Sequence, residues 1–386
     1  MIQRALSKKI LSIAKKIPVI TLTGPRQSGK TTLAKELFPK HEYVNLENSN
    51  TRQFAATDPE GFLQRFRKGV VIDEVQHVPE LFSSIQVLVD KEQKSGRFIL
   101  TGSQNFALLK NVSQSLAGRT ILFTLLPFSM QEIRGTNFEQ GNYEKYIFKG
   151  FYPRIYNRQL NPADWLPSYI QTYLERDVRN IVNVGELSAF QRFVKICAGR
   201  IGHAINFSAL GNEVGISYQT AKSWLSILEA TYIIYFLHPY YKNFNKRVVK
   251  APKLYFYDTG LACSLLGIEK DQQLGTHYFK GALFENLIIT ELAKVFFNKG
   301  QRPPIYYWRD NAGNETDCII EKAGKLVPVE IKSGKSIHTD FFRGLNYWEK
   351  ISGQKNTPSY LIYGGDENQK HRNINILGWR DCQKIV

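Results

Sequence analysis

Cysteine is scarce in this 386-residue chain: Cys197, Cys263, Cys318 and Cys382 are the four present, more than fifty residues apart and without a C-x-x-C pair. That spacing argues against a zinc site or a disulfide framework and suits a reducing cytoplasm. No apolar run approaches the ~18 residues needed to cross a bilayer. The N-terminus carries lysines but no apolar stretch of signal-peptide type, so a cytoplasmic chain with no membrane partner is expected. Acidic residues are outnumbered, 34 against 51 Lys and Arg, which leaves a net charge of +17. The excess is +8 over residues 1–135, +6 over 136–270 and +3 over 271–386. Such a surplus favours nucleic acid, because neutralised phosphates release counterions. A solvated surface or a preference for anionic membrane would produce the same count. What is present, 43% hydrophobic and 13% aromatic residues, marks a chain that buries real cores and is long enough for two or three domains.

One stretch organises the rest. Val19 to Thr32 reads VITLTGPRQSGKTT and contains Gly24-Pro25-Arg26-Gln27-Ser28-Gly29-Lys30-Thr31, a complete G-x-x-x-x-G-K-[ST] loop followed by Thr32. Val19 to Leu22 reads as a buried strand entering the loop, and Thr32 to Leu37 as the helix leaving it. Glycines at both ends let the backbone wrap an anion with its N–H groups and the helix N-terminus. Lys30 is then expected to reach the β- and γ-phosphates of a nucleoside triphosphate, and the Thr31 hydroxyl to ligate Mg²⁺.

Alternating strands and helices follow: a strand at 43–46, a helix from Pro59 to Arg67 with Asp58 as N-cap, a strand at 69–74, a helix from Pro79 to Lys94 and a strand at 98–101. This order implies a parallel sheet covered by helices. The strand Gly69-Val70-Val71-Ile72 ends in Asp73-Glu74. Beside a phosphate loop, Asp73 is placed to hold Mg²⁺ through water and Glu74 to polarise an attacking water, which favours hydrolysis over binding alone. Gly102-Ser103-Gln104-Asn105 ends the next strand and offers Ser103 as a γ-phosphate sensor. No N-K-x-D guanine motif is present, so ATP is expected rather than GTP.

The order phosphate loop, VVIDE, LTGSQ resembles the AAA-type ATPases. More narrowly, it is similar to a bacterial and archaeal group that couples such an ATPase to a C-terminal domain of uncharacterised function. Ser115-Leu116-Ala117-Gly118-Arg119, Leu126-Pro127-Phe128-Ser129 and Tyr173-Leu174-Glu175-Arg176-Asp177 resemble that group's signatures. The resemblance implies a homo-oligomeric ring, hexameric by analogy, in which an arginine reaches the neighbouring subunit's γ-phosphate. Arg119 is the first candidate for that finger and Arg176 the second, with a structural salt bridge as the alternative for each.

After a helical, Tyr- and Pro-rich connection, a helix-turn-helix is legible: Phe207 to Leu210, a turn at Gly215-Ile216-Ser217, and Tyr218 to Leu228 with Ala221, Leu225 and Leu228 on its apolar side. Strand-like runs at 232–237 and 254–257 complete a winged helix. The intervening segment Lys242 to Lys253 holds five cations and no anion, as a wing gripping phosphates would. Tyr218, Gln219, Lys222, Ser223 and Ser226 are expected to be exposed on the second helix. With one positive charge among them, a lid or subunit contact is as well supported as DNA contact, and any DNA binding here would read backbone and shape.

The last third suggests a second site. A long helix from Phe279 to Asn298 carries Glu285; strands follow at 305–308, 315–321 and 326–332, the last two joined at Ala323-Gly324. A two-residue hairpin there would set Asp317 opposite Glu330 and Glu315 opposite Lys332. Two carboxylates facing each other with Cβ atoms ~5 Å apart repel unless a cation lies between them, and Mg²⁺ would serve, with Lys332 beside it. Asp, then Glu-x-Lys on a hairpin with a helix glutamate before it, resembles the PD-(D/E)xK nuclease fold, although Thr316 stands where its usual proline would. The resemblance implies Glu285, Asp317 and Glu330 as metal ligands and Asp317, Glu330 and Lys332 as catalytic residues. A surface hairpin with Glu315 paired to Lys332 and Glu330 facing solvent is the structural alternative.

The expected architecture is an α/β AAA-type ATPase domain (1–135), a helical connector (136–190), a winged helix (191–270) and a PD-(D/E)xK nuclease-like α/β domain (271–386). The expected activity is that of an ATP-hydrolysing motor on duplex or branched DNA, with a Holliday junction as the branched substrate suggested by analogy, and with Mg²⁺-dependent cleavage as an added possibility. An ATP-switched regulatory or scaffolding protein with an inactive nuclease-like domain, or a protein remodeller, would carry the same motifs.

Overall fold

A computed structural model describes residues 2–92, 94–103, 115–173, 187–241, 249–353 and 357–386. They form two compact units. The first takes in the chain up to Phe128 together with Ala230–Tyr232 and Phe296–Arg302; the second comprises Ser129–Glu229, Ile233–Val295 and Pro303–Val386.

The first unit opens with an amphipathic helix α1 (Ser7–Ala14), which buries Ile10 and Ala14. Strand β1 (Val19–Thr23) leads through the loop into α2 (Lys30–Leu37). Strand β2 (Glu42–Asn45), helices α3 (Ser49–Thr57) and α4 (Pro59–Gln64), β3 (Val70–Asp73), α5 (Glu80–Glu92), β4 (Phe98–Gly102) and β5 (Thr120–Thr124) follow. Asp58 caps α4 as anticipated, its Oδ1 accepting the Gly61 N–H at 2.9 Å. The strands pair in the order β2-β3-β4-β1-β5, with every pairing parallel. Strands β1, β3 and β4 are buried along their whole length, as a parallel sheet covered on both faces requires. Leu81, Phe82 and Ile85 of α5 pack with Val70, Ile72 and Leu100 in one apolar core. Leu6, Ile10 and Leu33 pack with Ile20, Val71 and Ile99 in another. Parallel pairing brings the carboxyl ends of β1, β3 and β4 together, so the phosphate loop, Asp73-Glu74 and Ser103 share one edge. Ligands of open α/β sheets bind at that edge.

The second unit begins with a short helix α6 (Met130–Ile133), closed by a capping box between Ser129 and Glu132. Helices α7 (Tyr143–Lys149), α8 (Pro153–Asn157) and α9 (Pro162–Tyr173) follow. These helices also contribute to a core. Tyr143 and Tyr146 of α7 sit edge-on to Trp379 at ring distances of 6.1 and 5.6 Å, and Tyr143 also meets Phe284 at 4.8 Å. Aromatic surface of this size is driven from water into a core.

Beyond α10 (Leu187–Ala198), α11 (Phe207–Val214) ends at the left-handed Gly215, and α12 (Tyr218–Ala230) follows after a tight turn. Strands β6 (Ile234–Leu237) and β7 (Lys253–Phe256) pair antiparallel. Tyr218, Gln219, Lys222 and Ser223 are exposed on α12 and Ser226 is half-buried. Of the basic segment, residues 242–248 lie outside the described residues; Lys250 is exposed, but Lys253 is buried.

Helix α13 (Thr259–Leu265) precedes α14 (Lys280–Asn298), the helix that carries Glu285. A six-stranded mixed sheet follows, ordered β12-β13-β11-β10-β9-β8. Its strands are β8 (Ile305–Arg309), β9 (Glu315–Lys322), β10 (Lys325–Lys332), β11 (Ser359–Tyr363), β12 (Gln369–His371) and β13 (Ile374–Gly378), with α15 (Arg343–Ser352) inserted before β11. The β9–β10 hairpin has the anticipated register, Lys325 opposite Lys322 and Val329 opposite Cys318. Ala323 and Gly324 both take positive φ, 49° and 75°, the backbone of the favoured two-residue hairpin turn.

Trp379 is 2% exposed and closes the core against α7. Trp379→Ala is expected to destabilise the chain by about 3–5 kcal/mol. Urea unfolding followed by fluorescence measures this; an unchanged midpoint would show that α7 is not held by this contact.

Candidate functional site

The phosphate loop leaves β1 at Gly24, whose φ is 145°. A Cβ at this position would lie 2.1 Å from the Leu125 carbonyl oxygen, so a side chain is excluded by backbone. The loop is also clamped from outside. Arg4, 8% exposed, donates from its guanidinium to the Ser28 carbonyl (2.8 Å) and to the Leu126 carbonyl (2.6 Å). Lys30 Nζ donates to the Gly24 and Pro25 carbonyls at 2.9 and 2.8 Å. Pro25, Arg26, Gln27, Ser28 and Gly29 complete the wrap, and Thr31 and Thr32 open α2.

Asp73 lies at the end of β3 and is 5% exposed. Three hydroxyls serve it: Thr31 Oγ1 and the Tyr43 phenol donate to Oδ2 at 2.7 and 2.9 Å, and Thr101 Oγ1 donates to Oδ1. Burial first, then Asp73, raises the Tyr43 phenol well above its ordinary range, so it remains a donor. Thr31 and Asp73 therefore present a hydroxyl and a carboxylate side by side. This hard oxygen pair fits a nucleotide-bound Mg²⁺.

Glu74 follows in a left-handed turn (φ 54°). Its Oε2 accepts from Gln76 Nε2 at 2.5 Å and from the Ser103 hydroxyl and N–H at 3.0 and 3.3 Å. Burial pushes its carboxyl up, but Lys30, Gln76, Arg26 and Ser103 together outweigh this and hold it below the ordinary range. Glu74 is thus an ionised, oriented acceptor at neutral pH. Tyr43, Thr101, Gln76 and Arg4 were not foreseen: each acts through a partner remote in sequence or through a turn, and neither spacing nor composition signals it.

Arg119 is not part of this edge. It stands just before β5, with its carbonyl accepting from the N–H of Val19, the first residue of β1. That is the end of the sheet opposite the phosphate loop. Its guanidinium grips Asp90 in a fork of 2.5 and 2.7 Å. The salt-bridge alternative therefore describes Arg119 within its own chain. Arg176, Gln104 and Asn105 lie outside the described residues.

The second group of acids is brought together in the second unit, but not as anticipated. Lys332 Nζ bridges Glu330 Oε1 (2.6 Å) and Asp317 Oδ2 (3.2 Å), and Asp317 Oδ2 also accepts the Ile331 N–H at 2.8 Å. Glu315 pairs with Lys253 and Arg309 instead of Lys332. Glu285 accepts from Lys253 Nζ at 3.2 Å and from the Tyr255 phenol at 2.5 Å. Among the described residues, no three His, Cys, Asp or Glu side chains are arranged to hold a metal ion. As placed, Glu285, Asp317 and Glu330 are instead each engaged by a donor of the chain itself. The cation that keeps the opposed carboxylates from repelling is lysine ammonium. Glu330 is not solvent-facing, being 6% exposed, and a Cβ at Gly344 would come within 2.4 Å of its Oε2. Burial, and then Asp317, push the Glu330 carboxyl up to about 8. Lys253 and Tyr255 were missed because their roles depend on where β7 lies in space.

The Glu330 shift has a defined sign. Its folded value lies above the ordinary 4.5, so its contribution to stability is intact below about pH 4.5, falls as pH rises and is gone above about pH 8. Denaturant unfolding from pH 4.5 to 8 is expected to show the wild type losing stability relative to Glu330→Gln across that window. Parallel curves would show that Glu330 ionises normally.

Family models match three successive stretches: an AAA domain over residues 16–134, and two domains of unknown function, DUF8612 over 140–272 and DUF4143 over 280–381. The uncharacterised protein Rv2008c of Mycobacterium tuberculosis is 30% identical over 318 residues, covering 82% of this chain and 70% of its own. The uncharacterised protein MJ1544 of Methanocaldococcus jannaschii is 25% identical over 348 residues, with coverage of 81% and 74%. Among solved structures, the Walker-type ATPase of Pyrococcus abyssi aligns at 15% identity with a TM-score of 0.45, covering 69% of this chain and 96% of its own. The RuvB Holliday junction branch migration motor of Thermotoga maritima aligns at 17% identity with a TM-score of 0.31, covering 61% and 89%. No helix among the described residues is long and apolar enough to cross a membrane. The chain, with an AAA-type P-loop ATPase domain at its N-terminal end, belongs to the same family as the mycobacterial protein Rv2008c.

Proposed function

We propose that this chain hydrolyses ATP and uses the reaction to act on DNA as an oligomeric motor. The observation that carries the hydrolytic part is the pairing of two acids with separate duties at one sheet edge. Asp73 is wrapped in hydroxyls beside Thr31, and Glu74 is held ionised by Ser103 and Gln76 beside Lys30. In this reading the loop from Gly24 to Thr32 cradles the triphosphate with its N–H groups. Lys30 leaves the loop carbonyls for the β- and γ-phosphates. Thr31 and Asp73 would hold Mg²⁺, which when bound supplies neutralisation of phosphate charge. Glu74 accepts a hydrogen bond from the attacking water and orients it in line with the γ-phosphate, while Ser103 keeps the carboxylate aimed.

The DNA part is supported by the net charge of +17 and by the polar, exposed side of α12, where Tyr218, Gln219, Lys222 and Ser223 stand on the second helix of a helix-turn-helix. Contact would be with backbone and shape, on duplex or branched DNA such as a four-way junction. The ring would be completed by an arginine acting across a subunit boundary, with Arg119 released from Asp90 or Arg176 in that place. A second reading, an ATP-switched regulatory protein whose nuclease-like domain does not cleave, is favoured by the engagement of Glu285 with Lys253 and Tyr255.

One measurement tests the hydrolytic site and a second separates the two readings. Glu74→Gln is expected to reduce ATP turnover by about 10²-fold or more while ATP binding persists; turnover surviving at the wild-type rate would remove Glu74 from its role. The ATPase rate on duplex, single-stranded, forked and four-way DNA should rise with DNA and lose that stimulation steeply as salt increases. A rate indifferent to all four, in a chain that stays a monomer with ATP, would leave the switch reading in place of the motor.

A further inference from the structure

The C-terminal acids are matched by cations that the chain itself supplies. Lys332 bridges Glu330 and Asp317. Lys253, whose side chain is 4% exposed, contacts Glu285 and Glu315. Period two along β7 puts Lys253 and Tyr255 on one face, and both reach Glu285 Oε1. The strand is held from both sides, by β6 and by the segment at 201–204: the Gly202 N–H donates to the Leu254 carbonyl at 2.9 Å and the Leu254 N–H to the His203 carbonyl at 3.2 Å. The backbone that carries Lys253 is therefore fixed, and its ammonium lies among carboxylates in a side chain only 4% exposed.

Burying an ammonium is costly unless carboxylates surround it, and burying these carboxylates is costly without the ammonium. Burial lowers the Lys253 ammonium, yet Glu285, Glu315 and Asp317 outweigh it and hold the group charged. A divalent cation on Glu285 would have to share that carboxylate with a fixed positive charge.

We propose that Lys253 is the resident counter-cation of this cluster, and that Glu285 is its partner and not a metal ligand. The cluster is then a self-compensated polar core joining β7, α14 and the β9–β10 hairpin, and it needs no divalent ion to hold its shape. Lys253 is a positioning residue for Glu285 and Glu315.

The test uses the full chain, stripped with EDTA and free of nucleotide. Three results are expected. The wild type melts at the same temperature in EDTA and in millimolar Mg²⁺. Lys253→Met lowers the melting temperature by roughly 5 °C or more, whereas Lys253→Arg largely preserves it. The double variant Lys253→Met/Glu285→Gln recovers much of the loss, because it removes the stranded charge together with its partner. Recovery of this kind is not produced by lost packing, so additive losses in the double variant would overturn the proposal, as would a Lys253→Met chain as stable as the wild type. Mn²⁺ titration followed by electron paramagnetic resonance gives an independent arm should Lys253→Met fail to fold. Glu285→Gln should leave Mn²⁺ binding unchanged; binding that disappears with Glu285 would make it a metal ligand and end the proposal.

Discussion

A carboxylate removed from water must be matched by hydrogen bonds, by a cation or by its own proton, and the folded chain uses all three. Asp73 is met by the hydroxyls of Thr31, Tyr43 and Thr101. Glu285 and Glu315 share Lys253, and Asp317 shares Lys332 with Glu330, whose carboxyl is also pushed towards its protonated form. These requirements fix the surrounding elements. The parallel sheet must bring Tyr43 and Thr101 from neighbouring strands onto the tip of β3. The second unit must bring β7 against α14 and β9.

The parts of this arrangement visible in the sequence are the local ones. The phosphate loop announces itself because its glycines, lysine and threonine act within eight consecutive residues. Asp58 could be read as a cap because its partner, Gly61, is three residues away. The β9–β10 register followed from Ala323-Gly324, since a two-residue turn leaves no freedom in pairing. Strand β5, the strands after Lys332 and α15 went unread. Three of the late strands, β11 to β13, lie in a stretch where Gly364-Gly365 and short polar runs blur the period.

Charge was the least faithful guide, because formal charge says nothing about burial. The segment from Lys242 to Lys253 reads as a uniform basic wing, yet its last member faces inward, where alternation along Lys253-Leu254-Tyr255 aims two polar groups at Glu285. A lone lysine before an apolar run looks the same in sequence whether it meets solvent or carboxylates. Within the helical, Tyr- and Pro-rich stretch, composition likewise did not show that Tyr143 and Tyr146 supply ring surface to the Trp379 core.

The two acid groups differ in what they leave available to a ligand. Hydroxyl donors orient Asp73 without consuming its charge, so the carboxylate retains its attraction for a cation arriving with triphosphate. Glu74 is treated similarly: Gln76 and Ser103 are neutral, and the nearby ammonium belongs to Lys30, which has phosphate as an alternative partner. Around Glu285 the donors are the Tyr255 hydroxyl and the Lys253 ammonium, both carried on β7, so its charge already has a cation of the chain beside it. An attraction between opposite charges can be used once. A site that must bind and release a charged ligand in every cycle therefore needs neutral, well-aimed donors, and a cluster that must persist can use salt bridges. By that criterion the edge of the parallel sheet suits the turnover proposed for it, and the C-terminal cluster suits the structural role proposed for Lys253.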